Sequence, residues 1–116
     1  MRSRSKYHAQ AMNIDGITFA SKAEAFHYQD LRLLEAAGII SELELQPEFI
    51  ILKKSRDKFT GKTIPARKYV GDFRYRDEHG QIIVEDVKGF ETDVFRLKWD
   101  IVRSLYPRIK FVVVKK

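Results

Sequence analysis

The chain has 116 residues and carries 22 Lys and Arg against 16 Asp and Glu, a net charge of +6. That length allows one modest hydrophobic core, and the lack of cysteine excludes disulfides and thiolate metal sites, leaving oxygen or imidazole to hold any metal. No apolar run approaches the roughly 20 residues that span a bilayer and no secretory pattern opens the chain, so a cytoplasmic setting is expected, and the positive charge favours a polyanionic partner, nucleic acid first.

Residues 1–12 hold Arg2, Arg4 and Lys6 and little to bury. They read as a mobile basic arm ahead of a single domain over 13–116. MNIDGITF has apolar residues on both sides of Asp15-Gly16, a two-residue hairpin signal. SKAEAFHYQDLRLLEAAG is the clearest helix: Ser21 caps it, Glu24 stands three residues on, and Gly38 stops it. Ala23, Phe26, Leu33, Leu34 and Ala37 recur at helical spacing and are expected to form its core face. IISELELQPEFIIL alternates apolar and polar residues around Pro47, which predicts strands over about Ile40–Leu45 and Glu48–Lys53.

The next stretch holds Lys53, Lys54, Arg56, Lys58, Lys62, Arg67 and Lys68, with Gly61 and Pro65, and reads as an exposed basic loop or ribbon. Cations of this kind bind phosphates without reading sequence. They are the candidate DNA contacts, with Lys98 and Arg96 behind them. ETDVFRLKWDIVRSLYP predicts a second helix with Phe95, Trp99, Val102 and Leu105 on one face. RIKFVVV then predicts a buried strand. A strand, a helix and a further strand favour parallel pairing.

Between the basic stretch and the second helix lies YVGDFRYRDEHGQIIVEDVKG, a predicted hairpin. Tyr69, Phe73 and Tyr75 alternate away from Asp72 and are expected to pack beneath the second helix. A three-residue loop, Glu78-His79-Gly80, places Asp72 opposite Asp86, with Lys88 on the same face. A four-residue loop, Asp77 to Gly80, places Asp72 opposite Glu85 instead. Gly80 suits the left-handed position that ends a three-residue loop, which favours Asp86. Two carboxylates and an amine on one surface suit a hard divalent cation, Mg²⁺ with Mn²⁺ as substitute. Such an ion removes the carboxylate repulsion and polarises a phosphate, while Lys88 stabilises the charge that develops. Surface salt bridges alone are the competing explanation.

At these residues the sequence resembles the PD-(D/E)XK nuclease superfamily, whose signature is an acid on one strand and acid-x-Lys on the next. VGDF supplies Asp72 and EDVKG supplies Asp86-Val87-Lys88, with Gly71 where the signature's proline stands. The combination with DGITFASKAEAFHYQDL and LQPEF is most similar to small phage- and prophage-encoded members. It is also similar to Holliday-junction resolvases and transposon-end endonucleases. The resemblance implies an α/β fold with a restriction-endonuclease-like α-β-β-β-α-β core. It implies a Mg²⁺-dependent DNA endonuclease with Asp72 and Asp86 as metal ligands, Lys88 as the catalytic lysine and Glu24 as a further ligand. Glu85 takes the place of Asp86 if the register slips by one.

Glu24 has a second explanation in the capping box that it forms with Ser21. Gln46, at the strand break, and His27, one turn after Glu24, are second-tier site residues. One chain offers one site, so a homodimer is a possible assembly. No small-molecule cofactor and no membrane contact are expected. The rival readings are a DNA-binding module of the same fold without catalysis, and a structural or adaptor protein of a phage particle.

Overall fold

The computed structural model describes residues 10–116, so most of the expected basic arm lies outside the described residues. Asp15 and Gly16 take positive φ angles of 55° and 78° and turn the chain between β1 (Met12–Ile14) and β2 (Ile17–Phe19). Met12, expected in the arm, is instead the first residue of a strand and packs against the core.

Helix α1 (Lys22–Ala36) starts where the capping residues predict. Ser21 Oγ accepts the Glu24 amide at 3.1 Å, and Glu24 Oε1 accepts the Ala20 amide at 3.1 Å. Gly38, with φ 78°, closes the other end by donating to Glu35 O. The buried face is Ala25, Tyr28 and Leu31, not the expected Ala23, Phe26, Leu33, Leu34 and Ala37. Phe26 is 51% exposed and Leu33 70%. The apolar spacing misleads because the sheet-facing side of α1 also carries the polar Glu24 and His27. Those residues dilute the hydrophobic signal on the side that is buried.

Strands β3 (Ser41–Leu45) and β4 (Glu48–Leu52) flank Gln46-Pro47 as predicted. The basic stretch forms a small antiparallel ribbon, β5 (Ser55–Arg56) with β6 (Thr63–Ile64). Then follow β7 (Arg67–Val70), β8 (Phe73–Arg76), β9 (Ile82–Lys88), α2 (Asp93–Leu105) and β10 (Lys110–Lys115). The central sheet runs β10-β9-β8-β3, with β9 and β10 parallel and the other pairs antiparallel. Around this mixed sheet the order is α-β-β-β-α-β, an α/β fold. Strands β4 and β7 form a separate antiparallel ladder that packs against α2. β10 stands at the sheet edge and is half-buried, not buried as its valines suggested.

The sheet divides two cores. Phe19, Ala25, Tyr28, Leu31, Phe73, Tyr75 and Ile83 cluster on the α1 side, while Phe49, Tyr69, Val84, Phe95 and Val102 cluster on the α2 side. Tyr69, Phe73 and Tyr75 therefore do not share one face. The chain breaks at Gly71-Asp72: before it β7 pairs with β4, and after it β8 pairs with β3 and β9. On α2, Phe95 and Val102 are buried and Trp99 half-buried, but Leu105 is 52% exposed because it lies in the last turn. Among the described residues no helix is long and apolar enough to cross a membrane.

Gly71 sits at this break for a packing reason. A Cβ there would stand 2.8 Å from Val84 Cγ1, and Val84 is fully buried. Gly71→Ala is therefore expected to lose roughly 1–3 kcal/mol of stability through overpacking. Urea unfolding checks this, and an unchanged midpoint would remove the packing account of this glycine.

Candidate functional site

The hairpin takes the three-residue loop. Asp77 N donates to Gln81 O at 3.0 Å, Asp77 Oδ1 accepts the His79 and Gln81 amides at 2.8 and 2.9 Å, and Gly80 has φ 79°. The ladder pairs Arg76 with Ile82 and runs to Phe73 with Glu85. The regular pairing ends there, and at Asp72 the ladder is irregular, because its amide also turns to Glu85. Asp72 N donates to Glu85 O at 3.0 Å and Asp72 Oδ2 accepts the Val87 amide at 2.7 Å. The carboxylate thus takes the place of a backbone acceptor in the ladder.

Alternation along β9 sends neighbouring acids to opposite faces. Asp86 is buried on the α2 side. Its Oδ2 accepts from the Tyr69 hydroxyl at 2.5 Å, and Lys88 Nζ lies 3.3 Å from its Oδ1. Lys88 also sits over the Phe95 ring, 4.6 Å from its centroid, so α2 helps aim the amine. Glu85 is buried on the α1 side, where its oxygens meet the Tyr75 hydroxyl at 2.6 Å and His27 Nε2 at 2.5 Å. His27 is thereby committed to Glu85 and does not join Asp72 and Asp86. Its Nδ1 is buried without a partner among the described residues.

Burial and the nearby Asp86 carboxylate push the Tyr69 phenol far above its ordinary range. Burial and the Glu85 hydrogen bond do the same to Tyr75. Both therefore act only as donors. The sequence marked both tyrosines only as packing residues, although a Tyr in a core strand near an acid needs such a partner.

Glu24, Asp72 and Gln46 line a cavity of about 130 Å³. Gln46 has a positive φ of 51°, and its amide donates to Asp72 O at 3.0 Å. Glu24 caps α1 and its carboxyl also lies beside that of Asp72. Burial, the neighbouring Glu24 carboxyl and the charge of Asp86 hold the Asp72 carboxyl well above the usual carboxylate range. Asp86 and Lys88 do not line this cavity.

Among the described residues no group of three or more His, Asp or Glu stands ready as a coordination sphere. The donor set still suits a hard cation. Mg²⁺ keeps several waters and needs only one or two protein carboxylates. The same crowding that raises the Asp72 carboxyl is what a bound cation would relieve.

The basic residues lie apart from this cluster on exposed positions of β4 to β7. Lys68 pairs with Glu48 at 3.1 Å, Arg56 donates to Gly61 O at 2.7 Å, and Lys98 Nζ donates to Lys68 O at 3.4 Å. Lys53, Lys54, Lys58, Lys62 and Arg67 are exposed and form no ion pair among the described residues. From Lys53 to Lys68 the only acid is Asp57, so this segment alone carries a charge equal to the chain's net +6.

The chain matches, over residues 4–116, the family described as Protein of unknown function (DUF1064), and it belongs to that family. A comparison with the curated proteins finds no match.

The raised Asp72 carboxyl gives the site a pH signature. It gives up its proton at higher pH in the folded protein than in the unfolded chain. Cation-free stability therefore falls as pH rises from that range towards the raised value of the folded carboxyl. Asp72→Asn keeps an acceptor for Val87 N and removes the charge. It is expected to be roughly 1–3 kcal/mol more stable than the wild type at pH 8 and to flatten this slope. Thermal unfolding across pH checks it, and a wild-type slope retained in the variant would assign the dependence to another group.

Proposed function

We propose that this member of the DUF1064 family is a Mg²⁺-dependent DNA endonuclease that hydrolyses phosphodiester bonds. The observation that carries the reading is the hairpin register. It pairs Phe73 with Glu85, so that Asp72 and Asp86 follow at the end of the ladder with the Lys88 amine 3.3 Å from Asp86, while α1 brings Glu24 beside Asp72. The resemblance of VGDF and EDVKG to the PD-(D/E)XK signature supports it. So does the concentration of positive charge in the segment that leads into Asp72.

Asp72 and Asp86 would hold the ion, and Glu24 would complete the set directly or through water. When bound, the ion would supply Lewis-acid polarisation of the scissile phosphate. Lys88 is held by Asp86 and the Phe95 ring, so its ammonium is placed to stabilise negative charge growing on the phosphate. Water attacks phosphorus, and the P–O bond to the leaving sugar oxygen breaks. Tyr69 and the Val87 amide fix the two carboxylates in position. The exposed cations supply phosphate contacts that position the backbone without reading bases. One chain carries one such site, so cutting both strands takes a second copy or a second encounter.

Nicking of supercoiled plasmid and of branched DNA with Mg²⁺ or Mn²⁺ tests the reading. Lys88→Ala and Asp72→Asn are expected to lose on the order of 10²-fold or more of the rate. Either ion should raise the melting temperature of the wild type but not that of Asp72→Asn. Salt-sensitive DNA binding with no cleavage of any DNA form would favour a non-catalytic binding module instead. Loss of both binding and the melting shift would favour a structural role.

A further inference from the structure

The tip of the basic ribbon holds an aromatic ring that nothing in the fold uses. Phe59 is 99% exposed. A single exposed apolar side chain is ordinary, but the turn that carries this one is tightly built. Asp57 Oδ1 accepts the Phe59 amide at 2.8 Å and the Thr60 amide at 3.3 Å. Asp57 O accepts the Gly61 amide at 2.8 Å, and Asp57 N donates to Lys62 O at 2.9 Å. Arg56 ties across the turn to Gly61 O at 2.7 Å, and Gly61 takes φ 73°. The segment's one acid is thus spent on backbone amides. That leaves Lys58 and Lys62 unopposed on both sides of a ring held out in solvent.

We propose that Phe59 is a base-stacking residue. The ribbon cations hold DNA phosphates while the ring stacks on a base that is unpaired or easily unstacked. Every base has a π-face, so a ring amid cations binds without reading sequence and gains most where no pair must be opened. The arms of the ribbon begin at the site, because Gln46 precedes β4 and Asp72 follows β7. A strand rises about 3.3 Å per residue, so over the 13 residues from Gln46 the tip stands no more than about 43 Å away. A duplex turn is about 34 Å long, so a DNA of little more than one turn suffices to span the ring and the carboxylates. This inference rests on the DNA reading above for its ligand and favours branched or locally unpaired substrates.

The test uses the full chain in chelator, so that nothing is cut. The probes are a short fully paired duplex and the same duplex with an unpaired 2-aminopurine. Phe59→Ala is expected to weaken binding to the second probe about tenfold or more and to abolish quenching of its fluorescence. The salt slope should stay unchanged. Phe59→Trp should keep both properties. Lys62→Ala should weaken both probes alike and lower the slope by about 0.9 per lost phosphate contact. If Phe59→Ala binds both probes like the wild type, or its loss comes with a change of salt slope, the stacking role is overturned and the nuclease reading stands. If the wild type binds neither probe, both fall.

Discussion

The arrangement depends on the cost of placing carboxylates side by side on a sheet. Two unit charges about 4 Å apart repel by roughly 4 kcal/mol at an effective dielectric near 20. The fold accepts this at Asp72 and Asp86 and offsets it in several ways. The Val87 amide, the Tyr69 hydroxyl and the Lys88 ammonium each take one carboxylate oxygen, and the Asp72 carboxyl is held above the usual carboxylate range. A buried carboxylate left without such partners would shift its charge state or unfold its surroundings. In the proposed reading a divalent cation would satisfy the same constraint.

Both helices are needed to complete this cluster, and each contributes from a different face. The first turn of α1 delivers Glu24, and α2 delivers the Phe95 ring beneath Lys88. Strand β9 carries two acids in sequence and sends them to separate partners. Glu85 binds α1 through His27 and joins Tyr75, while Asp86 turns to Tyr69 on the α2 side. Breaking at Gly71-Asp72 lets one run of chain serve both cores, since Tyr69 and Tyr75 lie on opposite sides of that break.

Charge is segregated as well. Acid groups are buried around the hairpin, and the positive charge is gathered on the ribbon between β4 and β7. A negative cluster by itself repels a phosphate backbone. In the proposed DNA reading, the cationic segment joined to both sides of that cluster would offset this, and such attraction weakens as salt rises.

Short-range chemistry in the sequence determined much of this. The Asp15-Gly16 turn, the Ser21 and Glu24 cap, the Pro47 break and Gly80 each act over a few residues. Gly80 suits the loop length and hence the register that pairs Phe73 with Glu85, next to Asp72 and Asp86. Tertiary structure decided what depends on distant partners. It chose Ala25, Tyr28 and Leu31 as the buried side of α1, because the sheet-facing stripe had to carry Glu24 and His27. It split Tyr69 from Phe73 and Tyr75, and it tied His27 to Glu85, 58 positions away. Periodicity reports which side of an element is apolar. Only packing reports which side meets another element, and at a site that side is deliberately polar.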